Sequence, residues 1–200
     1  KILGMKSALG DNKNTPIDHW EEMKEFLQNL INKESISIGK KIEFEFSKNS
    51  EEVSIELIKK LKNPLLQIIK NSIDHGIEKP EIREKSGKPL HGRIIIKIDS
   101  YINHIQSLNQ KITMVICQDD GIGLNLDRIK RKAIEIGLGT EETLSKMSRE
   151  DIYQLIFHPG FSTADKITGL SGRGVGMDIV KDEINKLGGK IQIETEEAKF

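Results

Sequence analysis

Two consecutive β-branched segments constrain the fold of this chain more than any other feature of its sequence. The segments RIIIKIDSY (93–101) and KITMVICQD (111–119) are rich in isoleucine, valine and threonine, the residue types that favour strands. The polar stretch from Asn103 to Gln110 between them is long enough for a hairpin connection. Two glycines follow the second segment and end it. We therefore predict two strands paired as a hairpin within a largely antiparallel sheet.

Helical and strand patterns flank the hairpin on both sides. Apolar residues recur at spacings of three and four from Ile17 to Ile31, which predicts an amphipathic helix. The alternating run KKIEFEF (40–46) predicts a strand with one buried face, and KIQIET (190–195) predicts another near the end of the chain. Further helices are predicted over 51–61, from Asn63-Pro64 to His75, and over 125–136, 148–156 and 177–187.

The order of these elements predicts the class of fold. The segment EKPEIREKSGKPLHG (78–92) carries two prolines and two glycines, so we expect a mostly irregular surface connection there. Residues 1–16 show no sustained period and are predicted to be a connecting arm. The remaining residues, 17–200, are expected to form one α/β domain, an α+β two-layer sandwich with helices covering one face of the sheet.

The composition excludes several classes of protein. The 200 residues include 31 Lys+Arg and 31 Asp+Glu, so the formal net charge is zero and exerts no general attraction on nucleic acid or an anionic membrane. The single cysteine, Cys117, excludes an internal disulfide and a multi-cysteine metal site. The sequence contains no apolar run of membrane-spanning length and does not begin like a signal peptide. We expect a cytoplasmic protein with neither a nucleic-acid partner nor a membrane span.

A polar row on one predicted helix is the first candidate site. Gln67, Asn71 and His75 follow one another at intervals of four residues, which places them close together on one helical face. An asparagine amide can ligate a hard cation through its oxygen, and a histidine one turn later can reach a phosphate through nitrogen. A single row of this kind is also typical of a solvated helix face.

The motif DDGIG (119–123) at the end of the second β-branched segment is another candidate site. The Asp119 carboxylate can accept a hydrogen bond from an exocyclic amine, and Gly121 and Gly123 permit close backbone approach. An Asp-Gly pair after a strand is often only a turn. Arg128 and Lys132 lie four residues apart on the next predicted helix, where they would either meet phosphates or face solvent.

The glycine-rich segment SGRGVGMD (171–178) is the third candidate site. Three alternate glycines before a helix N-terminus present unhindered N–H groups and the positive end of the helix dipole, which suits a phosphate. Met177 stands where a dinucleotide fingerprint would need its third glycine, and none of the Gly-Lys pairs is followed by Ser or Thr as a P-loop requires. The HExxH and GxSxG motifs are absent from the sequence.

Taken in order along the chain, these motifs resemble the nucleotide site of the GHKL superfamily of ATPases and kinases. Within that superfamily, six segments look like the catalytic, ATP-binding domain of CheA-type chemotaxis histidine kinases, and the resemblance covers about residues 17–196. The six segments are NSIDHGIE (71–78), KSGKPLHG (85–92), QDDGIGL (118–124), KAIEIGL (132–138), FHPGFST (157–163) and SGRGVGMDIV (171–180).

The resemblance implies a Bergerat-type sandwich with a mixed, mostly antiparallel sheet, in which ATP lies between the helices and a lid at 157–175. It implies that Asn71 coordinates Mg²⁺ and that Asp119 binds the adenine amine in a pocket shaped by Gly121 and Gly123. The other residues that it places around the triphosphate, on the glycine-rich loop, the helices and the lid, are Gly172, Gly174, Gly176, His75, Arg128, Lys132, Ser162 and Thr163.

Gln67 departs from the family pattern. Similar domains usually carry histidine at this position, and other members of the superfamily often carry glutamate. Glutamine cannot act as a base at neutral pH, although it can orient a water molecule or an acceptor imidazole. The resemblance therefore implies a protein-histidine kinase domain whose transfer is reduced or depends on the acceptor. A silent nucleotide-binding module is the alternative, and an ATP-hydrolysing clamp is less favoured because it would need the glutamate.

The resemblance also implies partners. The γ-phosphoryl of Mg-ATP would pass to a phosphoacceptor histidine domain, in trans within a dimer. A coupling protein and chemoreceptors would bind through domains outside this chain, and a response regulator would act downstream. Because the chain begins at Lys1 and stops soon after a strand-like run, we expect an excerpt of a longer protein in which the last strand of the fold is cut off.

Overall fold

The chain contains both helices and strands in a computed structural model, which describes residues 19–49, 53–105, 108–161 and 176–196. The elements in chain order are α1 (His19–Ser37), β1 (Ile42–Lys48), α2 (Ile55–Asn71), a π-helix (Ser72–Gly76), α3 (Pro80–Lys85), β2 (Gly92–Ile105), β3 (Leu108–Asp119), α4 (Leu126–Glu135), α5 (Glu141–Ser145), α6 (Arg149–Gln154), a 3₁₀ helix (Leu155–Phe157) and α7 (Met177–Lys186). In this part of the chain, no helix combines the length and the apolar character needed to cross a membrane.

The described strands form one mixed sheet in the order β1-β2-β3. β1 runs parallel to β2, and β2 pairs with β3 as an antiparallel hairpin whose register runs from Ile94 opposite Asp119 to Ile105 opposite Leu108. The predicted α+β architecture with a mixed, mostly antiparallel sheet is confirmed. The polar stretch predicted as the connection is instead largely strand, because the backbone ladder continues to satisfy N–H and C=O groups there.

The main core lies between one face of the sheet and helices α1 and α2. Alternation along β2 puts Ile94, Ile96 and Ile98 on the covered face, each at most 2% exposed. Leu27 of α1 and Ile69 of α2 belong to the same buried cluster. Full burial of such side chains contributes roughly 1.5–3 kcal/mol each, so this layer supplies the frame on which the ends of α2 and β3 are held.

A single long helix replaces the two helices predicted on either side of Asn63-Pro64. Pro64 lies inside α2, and the helix begins instead after Ser54, whose hydroxyl accepts a hydrogen bond from the Leu57 N–H at 3.2 Å. The proline removes one helical hydrogen bond. Its ring is buried beside the apolar residues that run along the same face of α2, and this continuous stripe of core contacts keeps the helix intact.

The region after β3 forms a second, smaller cluster built from short helices. Asn125 caps α4, as its position at the predicted start of that helix allows, and Ser148 caps α6. α5 was not predicted; it begins with a capping box formed by Thr140 and Thr143. The buried members of the cluster are Ile129, Ala133, Leu144, Ile152, Tyr153 and Phe161.

Two further segments differ in part from their predicted local structure. The segment 78–92 contains α3, because Pro80 at its first position is compatible with a helical start, and it buries Arg83 completely. Residues 190–196 are described but form no ladder. A strand exists only through pairing with a neighbour, and the β-branched alternation of this segment does not supply one.

Candidate functional site

The junction between α2 and the π-helix connects two parts of the fold. Asn71, the last residue of α2, donates its side-chain Nδ2 to the Met177 Sδ at 2.8 Å, at the start of α7. Ser72, the next residue, donates its Oγ to the Asp119 Oδ2 at 2.6 Å, at the end of β3. One junction thus holds both the N-terminus of α7 and the C-terminus of β3.

We name the two parts of this candidate site by their chemistry. The carboxylate end comprises Ser72, Gly76, Asp119 and Gly121. The amide end comprises Gln67, Asn71, Gly176 and Met177.

Asp119 is the centre of the carboxylate end. Alternation along β3 places it on the same face as Cys117, which packs against the main core. Its Oδ2 accepts the Ser72 bond and its Oδ1 accepts the Gly121 N–H at 3.0 Å. A carboxylate has about four acceptor positions, so the half-buried Asp119 keeps capacity for a further donor such as an exocyclic amine.

Backbone segments approach each other closely at Gly121. A Cβ on Gly121 would lie 2.3 Å from the carbonyl of Gly76, so any side chain there is sterically excluded. The Ile122 N–H donates to the same carbonyl at 2.9 Å. A Cβ on Gly76 itself would come within 3.2 Å of the Asp119 Oδ1. The two glycines let the π-helix and the turn after β3 close around the carboxylate.

Gly123 packs against the C-terminal segment. Its φ is +70°, a left-handed conformation that favours glycine, and a Cβ would stand 2.3 Å from the Glu196 carbonyl oxygen. The neighbouring Leu124 N–H donates to the Thr195 Oγ1 at 3.0 Å. Gly123 therefore anchors the outer part of the turn to residues 195–196, while Gly121 shapes its inner part.

The amide end lies where α2 and α7 pack together. Gly176 is the N-cap residue of α7. Gln67 is half-buried one turn before Asn71 and helps to line a groove of about 250 Å³ between the two helices, opposite Ile179 and Glu183. Among the described residues that line this groove, Glu183 has the one titratable side chain.

The predicted row of three polar residues spans two elements, because Gln67 and Asn71 lie on α2 and His75 lies on the π-helix. The π-helix replaces i→i+4 bonds by i→i+5 bonds, as in the Ile77 N–H bond to the Ser72 carbonyl at 2.8 Å. His75 lies within this π-helix and is exposed, and its approach to a phosphate stays a prediction. The sequence predicted one α-helix through His75, and the π-helical turn was missed because a π-helix has no simple sequence pattern.

The remaining predicted residues lie elsewhere or outside the described part of the chain. Arg128 and Lys132 are on α4, which contacts α5, α6 and the 3₁₀ helix. Lys132 pairs with Glu135 at 3.0 Å. Their approach to a triphosphate stays a prediction. The predicted ligands that fall outside the described residues are Ser162, Thr163, Gly172 and Gly174.

Several residues that build the site were missed from the sequence. Ser72 was overlooked although it follows Asn71 directly, and Lys40 donates to the carbonyl oxygens of Ile73 and Asp74 in the π-helix. Burial lowers the pKa of Lys40, a shift that Asp74 opposes. These contacts join residues more than 30 positions apart, so no local spacing could have predicted them.

The fit of a magnesium ion can be tested on the side chains themselves. The described residues contain no group of three or more His, Cys, Asp or Glu side chains arranged to hold a metal ion. Because the Asn71 Nδ2 donates to sulfur, its Oδ1 stays an acceptor. Mg²⁺ commonly takes one or two protein oxygens and completes its octahedron with phosphates and waters. Asn71 fits that arrangement as a single protein ligand.

Comparison with known proteins assigns the family. Residues 59–200, well over half of the chain, match the family described as histidine kinase-, DNA gyrase B-, and HSP90-like ATPase. The chain belongs to this family. The sequence-based assignment to the GHKL superfamily is confirmed, and the α+β fold described above is consistent with it.

The relatives of this ATPase-family domain include chemotaxis proteins and a sensor histidine kinase. The chain is 41% identical over 160 residues to the chemotaxis protein CheA of Bacillus subtilis, covering 80% of this chain and 23% of that protein. It is 38% identical over 160 residues to CheA of Salmonella typhimurium, covering 80% and 22%. It is 41% identical over 162 residues to the sensor histidine kinase CheAY of Helicobacter pylori, covering 81% and 19%. It is therefore a CheA-type ATP-binding domain that spans about a fifth to a quarter of these relatives.

Proposed function

We propose that this domain binds Mg-ATP and transfers the γ-phosphoryl to a histidine on a separate phosphoacceptor domain, in chemotaxis-like two-component signalling. The observation that carries the proposal is the α2–π-helix junction. There Ser72 orients Asp119 and the adjacent Asn71 faces the start of α7. A base and a triphosphate bound at these two ends would be held by neighbouring residues of one backbone.

Each end of the site has a proposed role. Asp119 accepts a hydrogen bond from the adenine amine, in a pocket closed by Gly76 and Gly121. The N–H groups that open α7 at Gly176 face the phosphates, where the helix dipole favours negative charge. Asn71 supplies the oxygen that holds Mg²⁺, which neutralises charge on the phosphates when bound. Transfer then depends mainly on positioning of the donor and acceptor.

Gln67 determines how fast the proposed transfer is. It lies one turn from Asn71 in the groove between α2 and α7, and we propose that the acceptor histidine approaches along this groove. A glutamine amide cannot remove a proton, but it can orient an imidazole by a hydrogen bond. A neutral histidine is already a nucleophile. We therefore propose slow or acceptor-dependent transfer rather than none.

The test measures ATP binding and transfer on the same protein. Calorimetry with Mg-ATP gives the affinity, and radiolabelled ATP with a separately expressed histidine phosphoacceptor domain gives the transfer rate. Gln67→His is expected to raise the rate about 10-fold or more with unchanged affinity, within the range that a positioned acid-base group contributes. Gln28→His, on α1, is the matched control. A rate unchanged or lowered by Gln67→His at intact affinity would contradict the role given to Gln67.

One alternative function follows from the same glutamine. A domain that binds ATP without transferring its γ-phosphoryl would use the site as a nucleotide sensor in a signalling assembly. It predicts Mg-ATP binding together with no labelled acceptor in either wild type or Gln67→His.

The partners that accompany the kinase function are the phosphoacceptor domain acting in trans within a dimer, a coupling protein and chemoreceptors bound through other domains, and a response regulator. The word chemotaxis in the names of the relatives supports these partners.

A further inference from the structure

A buried cluster of charged residues lies directly behind the carboxylate end. Arg83 of α3 is 0% exposed and Glu78 is 7% exposed. The Arg83 guanidinium donates to the Glu78 Oε2 at 3.0 Å, to the Asp120 Oδ2 at 2.7 Å and to the Pro89 carbonyl at 2.6 Å. Removing charged groups from water is costly, so this arrangement calls for an explanation beyond packing.

Lys88 completes the cluster from the other side. Its Nζ donates to the Glu78 Oε1 at 2.6 Å, to the Gly121 carbonyl at 2.9 Å and to the Asp120 carbonyl at 3.1 Å. The Glu78 carboxylate therefore lies between two cations. Both cations also bind the turn that follows β3, Arg83 through the Asp120 carboxylate and Lys88 through two backbone carbonyls.

The turn that Arg83 and Lys88 bind also makes a hydrogen bond to the Asp119 carboxylate. Lys88 holds the carbonyl of Gly121, and the N–H of the same glycine donates to the Asp119 Oδ1. The Asp120 carboxylate, held by Arg83, also accepts the backbone N–H of Arg93 at 2.8 Å. The Gly121 N–H that orients Asp119 therefore lies between two groups held by charge-assisted bonds, the Asp120 carboxylate and the Gly121 carbonyl. Such bonds are about twice as strong as neutral ones.

A stabilising role alone does not account for this geometry. Replacing buried ion pairs by apolar side chains is often neutral or stabilising, so the pairs are weak evidence of a contribution to stability. Their donors converge on three acceptors of one turn, the two carbonyls and the Asp120 carboxylate. This convergence restricts the orientation of the turn, and so of the carboxylate that the turn orients.

We infer that Arg83 and Lys88 are positioning residues for purine selection: they hold the 119–121 turn so that Asp119 accepts from an exocyclic amine, and they take no part in binding the triphosphate. This inference rests on the proposed function, because it requires that Asp119 faces the base. A ligand with a 6-amino group, such as adenine, should gain from the fixed carboxylate. A 6-oxo purine such as guanine presents an acceptor to it and should gain nothing.

Lys88 offers the cleaner test of the two cations. Arg83→Met would leave Glu78 buried beside one cation, whereas Lys88 is 23% exposed as a side chain and its loss leaves Glu78 paired with Arg83. The variants are Lys88→Met, its conservative counterpart Lys88→Arg, and Lys85→Met, an exposed lysine at the end of α3, as the matched control. Thermal unfolding verifies that each is folded.

Binding of Mg-ATP, Mg-GTP and Mg-tripolyphosphate is measured for each variant by competition with a fluorescent ATP analogue. For Lys88→Met we expect the Kd for ATP to rise about 10-fold, with the Kd values for GTP and tripolyphosphate unchanged, so that the ATP-to-GTP preference falls about 10-fold. Lys88→Arg should recover most of the preference and Lys85→Met should leave it unaltered. If Lys88→Met does not fold, Asp120→Asn, which weakens the grip of Arg83 on a half-exposed carboxylate, should lower the same preference.

Two results would overturn the inference. A parallel loss of affinity for ATP and tripolyphosphate in folded Lys88→Met would indicate a general structural role, and an unchanged ATP-to-GTP preference would indicate none. The failure of the proposed function has a different outcome, because then wild type itself would not bind Mg-ATP. In that case both proposals fail together, and the wild-type measurement alone reveals it.

Discussion

The two ends of the candidate site are held in different ways. At the carboxylate end, Asp119 accepts hydrogen bonds from both Ser72 and Gly121, and cations bind the turn beside it. At the amide end, Asn71 donates to the sulfur of Met177, and a thioether is a weak acceptor. The first set of bonds involves charged groups, whereas the contact of Asn71 with Met177 joins two neutral groups.

This difference indicates which end of the site is oriented by the protein before a ligand binds. The carboxylate end has its orientation before any ligand arrives, which is what selection of a base requires. At the amide end, the contact of Asn71 with Met177 is weak and leaves the Asn71 Oδ1 available to a metal ion. Perturbing the two ends separately therefore tests whether base selection and phosphate binding are independent functions of this domain.

The largest effect is expected from removing the carboxylate. Asp119→Ala should weaken Mg-ATP binding by at least about 100-fold, or about 2.8 kcal/mol, because a charged acceptor is lost in a half-buried site. Calorimetry with Mg-ATP measures this loss. Asp127→Ala, an exposed aspartate at the start of α4, is the control. ATP affinity within 3-fold of wild type in Asp119→Ala would refute the proposed place of the base.

A smaller effect, confined to the metal, is expected at the amide end. Asn71→Ala should weaken Mg-ATP binding about 10-fold, or about 1.4 kcal/mol, and leave binding of metal-free ATP unchanged, because it removes the only oxygen proposed as a protein ligand. Titrations with Mg²⁺ and with a chelator separate the two affinities. Met177→Leu removes the sulfur contact but keeps that oxygen, so it should retain Mg²⁺ dependence. Equal loss with and without Mg²⁺ would argue against the metal role of Asn71.

The smallest effect is expected on the unfolding free energy at high pH, which reports whether water reaches the Cys117 thiol on the covered side of the sheet near Asp119. Burial raises the pKa of Cys117, two residues before Asp119, to about 12 from an ordinary value of 9.0. The unfolded chain therefore loses its thiol proton first as pH rises. The stabilising contribution is complete below pH 9 and is lost as the pH rises toward 12.

Cys117→Ala removes this pH dependence. The unfolding free energy of wild type should fall relative to that of Cys117→Ala by about 0.8 kcal/mol between neutral pH and about pH 9.5. Urea unfolding of both proteins across this range measures the difference, and comparison with the variant cancels the titration of lysines and tyrosines. Parallel pH profiles would mean that the thiol is solvated.

The sequence predicted elements whose pattern is local. The hairpin followed from β-branched composition, and its end at Asp119 followed from the glycines after it. The helix predicted over 125–136 agrees with α4 to within a residue at each end, and the structure shows Asn125 as its cap. The prediction failed at Pro64, where burial of one continuous apolar stripe outweighed a single lost hydrogen bond.

The family and the chemical character of the site were determined by the sequence itself, since the motifs carry the residue types that a nucleotide needs. Only the tertiary structure decided how they are oriented. A π-helix replaced the last turn predicted for α2, and Ser72, Arg83 and Lys88 became parts of the site through contacts across the fold. Such contacts depend on packing between segments distant in sequence, and helical or strand periodicity contains no information about them.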